Sequence, residues 1–164
     1  MKGKKINITS LTSDNGCFDL QFRKDTRHER INSPTYYRWK AQFIITCPKF
    51  EAKIMEKVKK ELGCGKIHII KNQARFSVQK IDEITKYIIP FFKKNPLSGN
   101  KKKDFELWNK AVGIIHQNKG KYIGQWKKSD LFSLLEIQKS KTKYKIFSRE
   151  PKWVDMAQTI AKSI

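Results

Sequence analysis

The chain contains no long hydrophobic run. Nothing in it approaches the roughly 18 consecutive apolar residues of a membrane-spanning helix, so no membrane partner is expected. The basic start is not followed by an apolar stretch, so no secretory signal is expected. Cysteine is sparse. Cys17, Cys47 and Cys64 are an odd number, widely spaced, with no Cys-x-x-Cys pair, which excludes a zinc signature and suits a reducing compartment. His28, His68 and His116 lie far apart in unlike contexts and do not make a metal site. "GCG" at 63–65 lacks the spacing of a phosphate loop and reads as a helix-to-strand turn. No Ser/His/Asp or Cys/His arrangement stands out.

Acidic residues are also scarce: 15 Asp and Glu against 36 Lys and Arg leave a net charge of +21. A fold does not require such an excess, so it speaks about partners. A phosphate backbone rewards it through counterion release. The rival is an anionic membrane surface, but this needs a basic amphipathic helix or a lipid anchor, and neither is present as a motif. What the chain does have is aromatic mass. Four Trp, five Tyr and ten Phe in 164 residues argue for one domain with a real core.

Periodicity divides the chain into alternating elements. Residues 5–14 form a short helix that Gly16 stops, and residues 17–24 alternate as a half-buried strand with Phe18, Leu20 and Phe22 inward. A polar loop, 24–34, leads to a second alternating strand, 35–46, paired antiparallel with the first. Residues 48–63 are the clearest helix, with Phe50, Ile54, Val58 and Leu62 repeating every four positions and Gly63 as the stop. "GKIHIIK" and "ARFSVQK" make a hairpin around Asn72 and Gln73, and 81–92 is a helix broken near Pro90. After the lysine-rich turn "KKNPLSGNKKK" come helices at 104–117 and 129–140, the latter capped by Ser129. The basic end, 141–164, is less periodic at first and then helical. The expected fold is α+β, with a four-stranded antiparallel sheet and helices on its apolar face.

Alternation also sorts the strand faces. The outward set is Gln21 and Arg23, then Arg38, Lys40 and Gln42, then Lys66 and His68, then Arg75, Ser77 and Gln79. These side-chain types read base edges and phosphates. A merely solvated sheet face is the plain alternative for any one of them. Taken as a set on so basic a chain, they point to a nucleic acid.

The stretches "LTSDNGCFDLQF", "WKAQFIIT", "KKELGCGKIH", "ARFSVQKIDEI" and "IIPFFKKNPLSGNKKKDFELWNKAV" together resemble the single-motif LAGLIDADG homing endonucleases of organelle and bacterial introns. The likeness covers about residues 6–140 and leaves 141–164 as a basic C-terminal extension. It implies an αββαββα core, homodimerisation through the motif helices, and two sheets forming a saddle in the major groove of DNA. Thr9, Ser10 and Ser13 would let the two helices approach closely. It further implies an intracellular setting, in an organelle or a bacterial cytoplasm.

In active members of that family an acid at the end of each motif helix binds Mg²⁺ for two-metal phosphodiester hydrolysis. Aligned on "GCF", that position is Asn15, whose amide brings no charge. Asp14 is adjacent but about 100° round the helix, so it reaches the site only if the helix end is rewound. Cys47 stands where the family has a Gln that organises water, and Lys101 matches the family's basic residue near the scissile phosphate. Three readings follow. The first is a degenerate nuclease kept for binding DNA or structured RNA, with no cofactor. The second is a working Mg²⁺-dependent endonuclease that uses Asp14 as its metal ligand. The third is a component of a ribonucleoprotein, which needs neither symmetry nor metal.

Overall fold

The computed structural model describes residues 6–25, 36–142 and 154–163. Helix α1 (Ile8–Asn15) is followed by strands β1 (Gly16–Asp25) and β2 (Tyr36–Pro48), then by a 3₁₀ turn (Lys49–Glu51) and α2 (Ala52–Leu62). Strands β3 (Lys66–Ile70) and β4 (Gln73–Val78) come next. A helical run of α3 (Ile81–Glu83), a π-helical stretch (Ile84–Ile88) and α4 (Ile89–Lys94) leads to α5 (Gly99–Gln117), α6 (Lys128–Thr142) and α7 (Val154–Ser163). The strands form one four-stranded sheet in the order β1-β2-β4-β3. The α+β order α-β-β-α-β-β-α with added C-terminal helices is the one the periodicity predicts. Most of the expected loop 24–34 and the start of the C-terminal extension lie outside the described residues.

The molecule divides into two compact units, one of residues 1–19 and 42–105, the other of 20–41 and 106–164. In the first, Phe18, Phe43, Phe76, Phe92 and Phe105 bury their rings against one another. Phe18 stacks on Phe43 with centroids 5.4 Å apart and meets the edge of Phe92 at 5.4 Å. These contacts tie the strands to the helices that cover their apolar face. In the second, Phe22 lies 5.6 Å from Tyr37 and 5.2 Å from Trp39. Around α5, α6 and α7, Trp108, Ala111, Val112, Leu131, Leu134, Ala157 and Ala161 are buried.

Three sequence expectations need correction. Phe50 is 85% exposed, because the chain enters α2 through a 3₁₀ turn that rotates it off the helix face. Met55, Val58 and Leu62 do the burying instead. The helix does not break at Pro90. Ile89 N–H donates to Ile84 O, five residues back, and this wider turn runs straight on into α4 to Lys94. The lysine-rich turn is a turn over 95–98 only: Lys93 and Lys94 end α4, and 99–103 open α5, where Lys102 N–H donates to the carbonyl of Ser98. Ile69 does lie on the apolar face of β3, opposite Ala74, but is 49% exposed at this edge strand.

Candidate functional site

The junction between α1 and β1 is built by close approach. Asn7 caps α1, its Oδ1 accepting from Ser10 N–H at 3.0 Å. Ile8 and Thr12, one turn apart, bury the inner face of the helix. Gly16 then leaves the helix in extended geometry (φ −89°, ψ 155°), so it stops the helix without a left-handed cap. The glycine is required by space. A Cβ there would lie 2.6 Å from the Thr12 carbonyl oxygen and 2.8 Å from Thr12 Cα. By contrast, Gly63 does end α2 in the left-handed conformation, at φ 79°.

At this junction Asp14 and Asn15 are exposed, and Lys101 reaches in from the first turn of α5. Its Nζ donates to the Gly16 carbonyl at 2.7 Å in a part-buried bond. Cys47 pairs with Ala74 across β2 and β4 and so shares the apolar face with Phe43, Ile45 and Phe76. Burial and then the Glu51 carboxylate push its thiol above the ordinary range, so it is a neutral group at pH 7. Cys64, buried near Glu83, is pushed up to about 11. Neither acts as a thiolate.

The donor set does not fit Mg²⁺ within this chain. A hard dication takes charged oxygens, and the position at the helix end carries an amide. The neighbouring backbone carbonyl, Gly16 O, already holds an ammonium. Of the other predicted site residues, Asp14 offers one exposed carboxylate, and Cys47 is a soft, buried, protonated thiol. Among the described residues no three His, Cys, Asp or Glu side chains come together as a metal-holding group.

Of the predicted small residues on α1, Ser10 and Ser13 are open. Thr9 is occupied, its Oγ1 donating to Asn95 O at 3.3 Å, and Ser13 Oγ donates back to Thr9 O at 3.0 Å.

The sheet register brings part of the predicted polar set together. His68 pairs with Arg75 and Lys66 with Ser77, while Ile44 opposes Ser77 and Thr46 opposes Arg75 from β2. Cross-strand partners share a face. Lys66, His68 and Arg75 therefore stand side by side, Lys66 and His68 exposed and Arg75 half-buried. Gln73, which sequence reasoning passed over as a turn residue, joins them from the first position of β4 opposite Ile70. Two members of the set are on this face without being open. Ser77 is 2% exposed, and Gln42 is 4% exposed with its amide donating to Asp19 Oδ2 at 2.7 Å. Both belong to the interior strands of the sheet, where neighbours on each side cover short polar side chains. Gln79 is exposed just past the end of β4. In the second unit, Gln21, Arg23, Arg38 and Lys40 alternate with the buried Phe22 and Trp39 and are each half-buried.

A family model described as LAGLIDADG endonuclease matches residues 8–112. Probable intron-encoded endonuclease 3 of Neurospora crassa is 31% identical over 110 residues, which are 66% of this chain and 20% of that protein. The homing endonuclease I-TnaI, at 17% identity, superposes with a TM-score of 0.69 over 95% of this chain and 94% of its own. I-SmaMI bound to an uncleaved DNA target in the presence of calcium ions, at 20% identity, superposes at 0.73 over 94% of this chain and 49% of its own. The chain thus spans one fifth of the Neurospora protein, about half of I-SmaMI and nearly all of I-TnaI. The α+β fold with its four-stranded antiparallel sheet is the one these structures share. With a motif helix, sheet and basic first turn of α5 in place, and most of its length matched, the chain belongs to the LAGLIDADG endonuclease family.

Proposed function

We propose that this chain is a duplex-DNA-binding protein of homing-endonuclease descent whose phosphodiester hydrolysis is weakened or lost. The observation that supports this reading is the end of α1, where Asn15, the residue aligned with the family's acid, is exposed and Lys101 takes up the adjacent carbonyl. Binding is supported by the net charge of +21 and by Lys66, His68 and Arg75 side by side on the sheet. A relative of this fold, I-SmaMI, is seen on its DNA target. The DNA-binding domain is residues 1–140, and 141–164 is a basic extension. Mg²⁺ belongs only to the alternative in which Asp14 works as the acid.

Two copies pair through α1, with Ser10 and Ser13 at the contact, a reading in keeping with this chain's spanning about half of I-SmaMI. The gene is of intron type, and the protein works in an organelle or a bacterial cytoplasm. Sedimentation is expected to give the mass of two chains, and a monomer at every concentration would remove the pairing.

Incubated with Mg²⁺ or Mn²⁺ and a plasmid pool carrying candidate target sites, the protein is expected to leave the DNA intact. Cutting that Asp14→Asn abolishes would make this an active endonuclease instead. Retention of structured RNA in preference to duplex DNA from a mixed pool would replace the DNA reading with an RNA one.

A further inference from the structure

One corner of the sheet is apolar and uncovered. We infer that this corner contacts bases, with the Phe50 ring stacked on one base that has left the duplex stack. The inference rests on the DNA-binding reading above and specifies the kind of duplex that is held best.

The corner is built by strand register. On the polar face Thr46, Arg75 and His68 lie in one row across β2, β4 and β3, and the next row is Pro48, Gln73 and Ile70. All three side chains of that next row are exposed, and none is charged. Lys49 N–H donates to Asn72 O at 2.8 Å, which fastens the 3₁₀ turn to the turn between β3 and β4. Phe50 follows directly and is 85% exposed, and Ile70 is 53% exposed. Of the five large hydrophobic side chains exposed among the described residues, Phe50, Ile69 and Ile70 are at this corner. A single exposed apolar side chain is ordinary, whereas such a cluster marks a contact.

The surroundings decide which partner fits. Lys49, Lys53 and Lys71 are exposed beside the corner, against one half-buried acid, Glu51. Two residues along a strand span about 7 Å, so a duplex lying on the row of Arg75 and His68 also reaches Pro48 and Ile70. Phenylalanine has no donor to offer a phosphate. What a nucleic acid offers its ring is the face of a base. In an intact duplex both faces of a base are covered by its neighbours. The ring therefore takes a base that is unstacked, as apolar wedges do at kinked steps.

The test uses the full chain and two duplexes of one sequence, the first fully paired, the second with a single unpaired base at its centre. Affinity is read by fluorescence anisotropy. Wild type is expected to prefer the second duplex by about tenfold, since an unpaired base is the least costly to unstack. Phe50→Ala is expected to lose about tenfold on the unpaired duplex, the scale of one base–aromatic stack, and little on the paired one. Phe50→Trp is expected to keep the preference. The salt slope of Phe50→Ala is expected to match wild type, because a stack displaces no counterion. Phe132→Ala, the same truncation of an exposed ring on α6, is expected to change nothing. Each variant is expected to melt with wild type, as the rings are exposed.

Equal affinity of wild type for the two duplexes would overturn the inference, as would a loss in Phe50→Ala that is the same on both. A Phe50→Ala protein that keeps the preference but sediments at a lower mass would make the corner a contact between proteins, and the inference would fall. No binding of either duplex would instead overturn the DNA-binding reading, and this inference with it.

Discussion

Gly16→Ala is expected to destabilise the protein by about 3 kcal/mol, the upper part of the range for overpacking a filled site. The new methyl would sit 2.6 Å from both the Thr12 carbonyl oxygen and Thr12 Cγ2, and 2.8 Å from Thr12 Cα. Two of those three atoms are backbone, and they cannot rotate aside as a side chain can. Thr12 is itself fully buried, so the helix has nowhere to retreat. Dihedral strain plays no part, because φ −89° and ψ 155° suit any residue. For a chain of this length the melting temperature should fall by roughly 10 °C, read by circular dichroism. Gly113→Ala is the natural comparison. A Cβ there meets nothing within 4 Å, and helix propensity alone should raise stability by about 1 kcal/mol. A Gly16→Ala melt within a degree of wild type would show that α1 and β1 are not packed as described.

DNA affinity is expected to collapse with salt. If the polar sheet face and the α1 terminus together neutralise about six phosphates, the slope of log K against log salt is about −5, and affinity falls about 10³-fold between roughly 50 and 200 mM salt. The charge of +21 makes this the largest effect expected of the protein in solution. The steepness follows from counterion release, so it is sequence-independent and measurable on any duplex. A slope shallower than about −2 would mean that the excess of Lys and Arg serves something other than a phosphate backbone.

The sequence discloses the faces of this fold better than the exposure of each residue. Strand alternation placed Phe18, Phe43 and Phe76 in the core correctly, because period-two patterning records which side of a sheet is apolar. It also placed Gln42 and Ser77 on the opposite face correctly, but could not say that interior strands would bury them, since strand order is a long-range property. Helix counting misjudged Phe50 because the four-residue repeat runs back into a turn with a tighter pitch. At the candidate site, Asn15 beside Gly16 at the end of the motif helix was legible from one aligned motif. The ammonium on the Gly16 carbonyl was not, because "SGNKKK" reads locally as a turn and only as α5 does it carry Lys101 inward. The Ser98 before that run was the available sign of a helix start.

The bond from Lys101 to Gly16 joins residues 85 positions apart. Phe105, from the same helix, meets the ring of Phe18, 87 positions back, at 5.3 Å. The end of α1 is thus synthesised 85 residues before the lysine that completes it. While a ribosome is still making the residues between them, the motif helix and the first hairpin are present with their inner partner missing. At about 5–20 residues per second, that interval lasts on the order of several seconds. Such contacts also give the fold a high loop-closure cost, which favours slow folding and exposes the Phe18 surface meanwhile. A chain interrupted before α5 would carry the motif intact and have no site.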